Sequence, residues 1–156
     1  MKERDHKFVE CSTYADDIVE QRRAKGAYQR AWHYVGIPLF DDPDAKPEDL
    51  DYLKPEHDMI GAIKAIVKWI NKEKDYTKSF YYKGIMAATR SGKETDGLSV
   101  ALRLLIHYLV DLHQPLHTTT RVNYAYPAGD RYGELFRLSR EDESKTLHQA
   151  WEDFPM

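Results

Sequence analysis

The chain has 156 residues, 42% of them apolar and 12% aromatic, which is enough for one domain with its own core and argues against a disordered polymer. Its 23 basic residues stand against 26 acidic ones, so the formal net charge is -3 and any attraction for phosphate must come from local groups. Cys11 is the single cysteine, which excludes a disulfide within the chain and leaves the redox compartment unread.

The opening, Met1-Lys2-Glu3-Arg4-Asp5-His6-Lys7, is charged with no apolar segment behind it, so no secretory signal is read and the localisation is unknown. Residues 13–30 read as a short helix followed by a basic stretch, Gln21-Arg22-Arg23-Ala24-Lys25. Trp32-His33-Tyr34-Val35-Gly36-Ile37-Pro38 is aromatic and closes on a proline, which predicts an extended or turned segment with His33 on irregular backbone. The acidic run 39–55 reads as a surface loop with a turn of helix, and its spacing does not match a calcium loop. Ile60, Ile63, Ile66, Val67 and Ile70 then recur at three and four, predicting a helix over 56–73. A second amphipathic helix is predicted over 97–113, able to pack on the first. Residues 118–138 carry β-branched and aromatic residues broken by Pro127-Ala128-Gly129-Asp130, the pattern of an irregular loop with a small hairpin. A last helix is predicted over 141–152. The fold class expected is mainly α, an irregular helical bundle in one domain over 1–156. No membrane span is expected, because the best apolar run is short and interrupted by Arg103, His107 and Asp111.

Chemistry concentrates late in the chain. His107 and Asp111 lie four apart on the second helix, hence on one face, where an imidazole and a carboxylate can converge on one ion. Pro115 ends that helix and lets His117 leave its axis. His148 and Glu152 repeat the spacing on the last helix. Imidazole nitrogen with carboxylate oxygen suits Zn²⁺. Each feature has a plainer alternative: a His-x-x-x-Asp pair is usually a hydrogen-bonded surface pair, and His33 between Trp32 and Tyr34 fits a packed aromatic cluster. Asp16 and Asp17 fit helix-end carboxylates, the basic stretch a wet helix face, and His6, His57 and His113 bystanders.

Taken in order, Tyr14-Ala15-Asp16-Asp17-Ile18, Trp32-His33-Tyr34, the stretch from His107 through Asp111 and His113-Gln114-Pro115 to His117, Gly129-Asp130-Arg131, and Leu147-His148-Gln149-Ala150-Trp151-Glu152 resemble one known family. It is the zinc-dependent type I single-strand nucleases and 3′-nucleotidases of plants, fungi and protists. The resemblance implies a mainly helical fold around a metal cleft with up to three zinc ions, and metal-assisted hydrolysis of single-stranded DNA or RNA, or of the 3′-phosphate of nucleotides. Carried over, Asp16, His33, His107 and Asp111 match the ligands of one ion, with Asp16 and Asp111 taken as the catalytic carboxylates and Asp111 bridging to a neighbouring ion. His117, His148 and Glu152 match the ligands of another, Glu152 standing where the family has aspartate. Tyr34 matches an aromatic that stacks on a nucleobase.

The chain departs from the pattern in places. No tryptophan precedes Trp32, so the N-terminal ligands of the third ion are missing, and the chain reads as truncated at both ends. Tyr132 and Glu134 occupy a stretch that is usually Gly-Gly-Asn; Val19 stands where an arginine often follows, and Gly36 where a polar residue often lies. The partner implied is single-stranded nucleic acid or a nucleotide, with no membrane and a monomeric chain; family members are commonly secreted or periplasmic. Two alternatives stand beside a zinc phosphoesterase: a metal-binding remnant without activity, and a helical interaction module with structural histidines.

Overall fold

A computed structural model of the chain describes residues 11, 13–16, 27–44, 50–53, 55–138 and 145–153. The charged opening with His6, Asp17, Ile18, Val19, the basic stretch 21–25 and residues 141–144 of the last expected helix lie outside the described residues. The fold is mainly helical, as the composition and periodicity imply. The chain divides into two units, one of residues 1–34 and 57–113, the other of 35–56 and 114–156.

The first unit is built on three helices: α1 (Met59–Ile70), α2 (Phe80–Ala88) and α3 (Glu94–His113). Asp58 sets the start of α1, its carboxylate accepting from the Gly61 N–H at 2.7 Å and so satisfying a donor with no partner inside the helix. The helix is shorter than the predicted 56–73, and its core stripe is Met59, Ala62, Ile66 and Trp69. That stripe is turned about one residue, roughly 100°, from the isoleucine series, of which only Ile66 is fully buried, while Val67 and Ile70 stay 40% and 39% exposed. Trp69 explains the rotation, because one buried indole removes more apolar surface from water than either β-branched residue.

α2 has no counterpart in the periodicity reading, since Gly84 and a cluster of aromatics blur its spacing. Ser79 caps it by accepting from the Tyr81 N–H at 3.2 Å, and Tyr81 and Ile85 are its buried residues. α3 begins three residues before the predicted start, with Glu94 and Asp96 in a first turn that favours negative charge. Gly97, Ala101, Leu104, Tyr108 and Asp111 line its buried side, with His107 beside them. At Gly97 a Cβ would come 2.3 Å from the Met86 sulfur, so a larger residue would have to push that flexible side chain aside where α2 and α3 approach.

The segment expected to be extended around His33 is instead a 3-10 helix, Ala27–His33. Burial of Trp32 accounts for the difference: its ring lies 4.8 Å from that of Tyr81 and 6.5 Å from that of Tyr108, and a helical turn is what delivers it inward.

In the second unit β1 (Ile37–Phe40) pairs in parallel with β2 (Thr119–Val122), Ile37 opposite Thr119 and Phe40 opposite Val122. The small hairpin expected within 118–138 is a tight turn closed by the antiparallel bridge between Asn123 and Tyr126, while β2 itself takes a remote partner in β1. Pro127, which has no N–H to extend a ladder, follows that bridge directly. The 39–55 loop does carry a helical turn, Asp51–Leu53, and Gly36 is packed so closely on it that a Cβ would meet the Leu53 carbonyl oxygen at 1.7 Å. Two short helices complete the unit: α4 (Pro115–Thr118), with proline in its first turn, and α5 (Leu147–Glu152). α5 opens with a capping box in which the Thr146 hydroxyl accepts from the Gln149 N–H and the Gln149 side chain accepts from the Thr146 N–H, each at 3.1 Å. Among the described residues no helix is long and apolar enough to cross a membrane.

Candidate metal centre

Asp16, His33 and His107 come together in the first unit, each offering a ligand atom within 4.8 Å of the others. His107 comes from the last turns of α3, His33 from the end of the 3-10 helix, and Asp16 from a helical turn at 14–16. Asp111, one turn beyond His107, joins them: its Oδ2 lies 2.9 Å from His33 Nδ1 and 3.2 Å from His107 Nε2, while the two imidazole nitrogens are 3.1 Å apart. Asp16 Oδ1 lies 3.9 Å from His33 Nδ1 and 3.7 Å from His107 Nε2.

Three donor atoms forming a nearly equilateral triangle suit a central cation better than mutual hydrogen bonds, because one N–H cannot point along two edges of a triangle at once. Zinc bonds of ~2.0–2.2 Å place neighbouring ligand atoms roughly 3.3–3.6 Å apart in a tetrahedron, in the middle of the separations found here. Both imidazoles and Asp111 are buried, whereas Asp16 is exposed, which leaves one side of the cluster open.

Asp16 is held from behind. Gln29, fully buried, donates through Nε2 to the Ala15 carbonyl at 3.0 Å and accepts the Tyr108 hydroxyl proton at 2.9 Å. An amide from the 3-10 helix thereby ties the backbone before Asp16 to the α3 residue that follows His107. The sequence reading missed Gln29, and a glutamine three positions before Trp32 offers no periodic signal that could have found it.

The second unit holds His117, His148 and Glu152 in one group, again within 4.8 Å of one another. Glu152 Oε1 lies 3.0 Å from His148 Nε2 and 3.4 Å from His117 Nε2. His148 Nδ1 donates to the Tyr132 carbonyl at 2.8 Å, which fixes the tautomer and turns Nε2 toward Glu152, as the outer partner of a metal-binding histidine does. Burial opposes charge on His148, yet Glu152, the Tyr132 carbonyl and Glu134 together outweigh it and raise its pKa. Hydrogen bonds from His117 and His148 lower the Glu152 carboxyl to about 2.

The Tyr132 carbonyl is aimed by left-handed backbone: Arg131, Tyr132 and Gly133 have φ of 52°, 59° and 82°. Two non-glycine residues there cost about 1–2 kcal/mol each. Buried Asp130 and Thr120 oppose that cost. Asp130 Oδ1 accepts from the Thr120 hydroxyl at 2.8 Å and from the Arg121 N–H at 3.0 Å, and the Thr120 oxygen accepts from the Tyr132 N–H at 3.1 Å. Asp130 belongs to the Gly129-Asp130-Arg131 stretch of the resemblance, and no spacing or composition marks Thr120.

Tyr34 follows His33 directly, its side chain half-buried and its carbonyl accepting from the Met59 N–H at 3.2 Å. His57 stacks on Phe80 at 3.7 Å, and exposed His113 bonds the Leu109 carbonyl at 2.6 Å through Nδ1; neither joins a ligand group. Among the described residues, these two groups are the ones able to hold a metal ion.

The mainly helical chain thus brings together two histidine and carboxylate groups, each able to hold a metal ion. The family model described as S1/P1 Nuclease matches residues 1–154, and the chain belongs to that family, whose members are nucleases acting on nucleic acid. No curated protein and no solved structure matches it.

Proposed function

We propose that the chain is a zinc-dependent phosphoesterase that hydrolyses phosphodiester bonds in single-stranded DNA or RNA, and also the 3′-phosphate of nucleotides. The observation that supports this best is the pair of imidazole and carboxylate groups, assembled from residues as far apart in sequence as Asp16 and His107. In this reading Asp16, His33, His107 and Asp111 hold one cation, and His117, His148 and Glu152 hold another. Zinc held there supplies an activated water and a positive charge that offsets phosphate. Asp16 and Asp111 present their carboxylates on the reacting side. The His148 proton stays on Nδ1, committed to the Tyr132 carbonyl, so that Nε2 keeps its lone pair for ligation. Tyr34 offers a ring face to an unpaired base, a contact of about 1–3 kcal/mol that a duplex denies. Local cations also explain how a chain of net charge -3 acts on a polyanion.

The test is cleavage of single-stranded DNA and of 3′-AMP by the zinc-supplemented chain. Activity should vanish with chelator, return with zinc and be abolished by His107→Ala. Cleavage indifferent to chelator would overturn the proposal.

A further inference from the structure

Outside the two ligand groups, the first unit contains a groove of about 490 Å³ between α1, the turn Tyr76–Lys78 and the start of α2. Lys64, Lys68, Lys74 and Lys78 line it, and Asp75, paired with Lys78 at 2.9 Å, is its one carboxylate. Among the described residues no carboxylate lies within 4.0 Å of Lys64, Lys68 or Lys74. Four ammonium groups against one carboxylate leave a local charge of +3 (4 − 1) in a chain whose net charge is -3. Lys64 and Lys68 stand four apart on α1, one above the other with a rise of about 6 Å. The groove begins at Gly61, about 3 Å along α1 from Met59, whose N–H is bonded to the Tyr34 carbonyl beside His33.

We infer that this groove binds the phosphate backbone of a single-stranded nucleic acid beyond the nucleotides being cleaved, with Lys64, Lys68 and Lys74 as its contacts. Lysines without a carboxylate partner among the described residues, concentrated in a concave site on a helix whose first residue is hydrogen-bonded to Tyr34, attract a polyanion and release its counterions. The inference rests on the reading that the chain acts on single-stranded nucleic acid, and it supplies what that reading lacks: a reason for a long strand to bind better than a nucleotide.

The experiment compares the full, zinc-loaded chain with a Lys64→Gln, Lys68→Gln, Lys74→Gln variant. The probe is a phosphorothioate oligothymidylate followed by fluorescence anisotropy across a salt series. Each lost phosphate contact should reduce the slope of log K against log salt by about 0.7, so the variant should lose about 2 in slope. In cleavage assays its KM for long oligothymidylate should rise by about fivefold or more, while KM for the thymidine dinucleotide stays within about twofold. An unchanged slope, or equal losses on oligothymidylate and dinucleotide, overturns the inference. Binding and cleavage are read separately: a wild-type chain that binds the oligonucleotide through these lysines yet cleaves nothing defeats the nuclease proposal and leaves the groove standing. If the triple variant does not melt cooperatively, the Lys64→Gln, Lys68→Gln pair, with about 1.4 expected in slope, decides in its place.

Discussion

Replacing Gln29 with leucine should damage both stability and metal binding, because this buried amide couples α3 to the backbone that presents Asp16. Leucine fills nearly the same volume, so little cavity cost enters. Two buried hydrogen bonds are lost, from Gln29 to the Ala15 carbonyl and from Tyr108 to Gln29, each with a net contribution of ~0.5–1.5 kcal/mol. The expected loss is therefore about 1–3 kcal/mol, which at about 2–4 °C per kcal/mol for a chain of this size lowers the melting temperature by roughly 2–12 °C in calorimetry. Tyr108→Phe alone should cost about 1 kcal/mol, and much less in the Gln29→Leu background, since the bond it removes is already gone. Zinc titration should show weaker binding at the Asp16 group and unchanged binding at the His148 group. Melting within about 1 °C of wild type, or additive costs for the two substitutions, would refute the coupling.

Substituting His148 with alanine should remove one ion from the zinc stoichiometry measured by elemental analysis while leaving the ion held by His107, because each group is complete within its own unit. Hydrogen bonds from Lys72, Tyr76 and Trp69 lower the Glu94 carboxyl from 4.5 to about 2. Its contribution to stability is thus present above about pH 4.5 and lost as pH falls toward 2, and Glu94→Gln should flatten the acid limb of a melting-temperature profile. At Gly36, alanine would force a Cβ against the Leu53 carbonyl oxygen, and the soluble yield of Gly36→Ala should fall sharply beside that of the wild-type chain.

How much of this could be read from the sequence depended on the kind of force involved. His107 and Asp111 were legible because a helix imposes its period on whatever it carries, and Pro115 marked where that helix gives way to α4. The convergence of Asp16 and His33 on them was available only through the family resemblance, since no local pattern reports a contact across 91 residues (107 − 16). The buried face of α1 was misplaced by about one residue because a count of apolar positions ignores side-chain size, and Trp69 outweighs Val67 and Ile70. The parallel partner of β2 was illegible for a related reason: strand-forming composition around β2 says nothing about which partner it takes. Gln29 and Thr120 left no trace, and Asp130 only its place in the Gly129-Asp130-Arg131 stretch. Their work is done by a few hydrogen bonds to backbone groups and to one another's or a neighbour's side chain, which have no periodicity and no compositional weight.

The parallel pairing of β1 with β2 bears on the order of folding. Strands separated by 78 intervening residues cannot zip from a tight turn, and closing so long a loop costs about 4 kcal/mol in chain entropy before any ladder bond is made. Helical turns, whose contacts are near in sequence, face no comparable delay. The ladder between Ile37 and Val122 should therefore be among the last hydrogen bonds acquired during refolding and among the first to exchange with deuterium in the native protein.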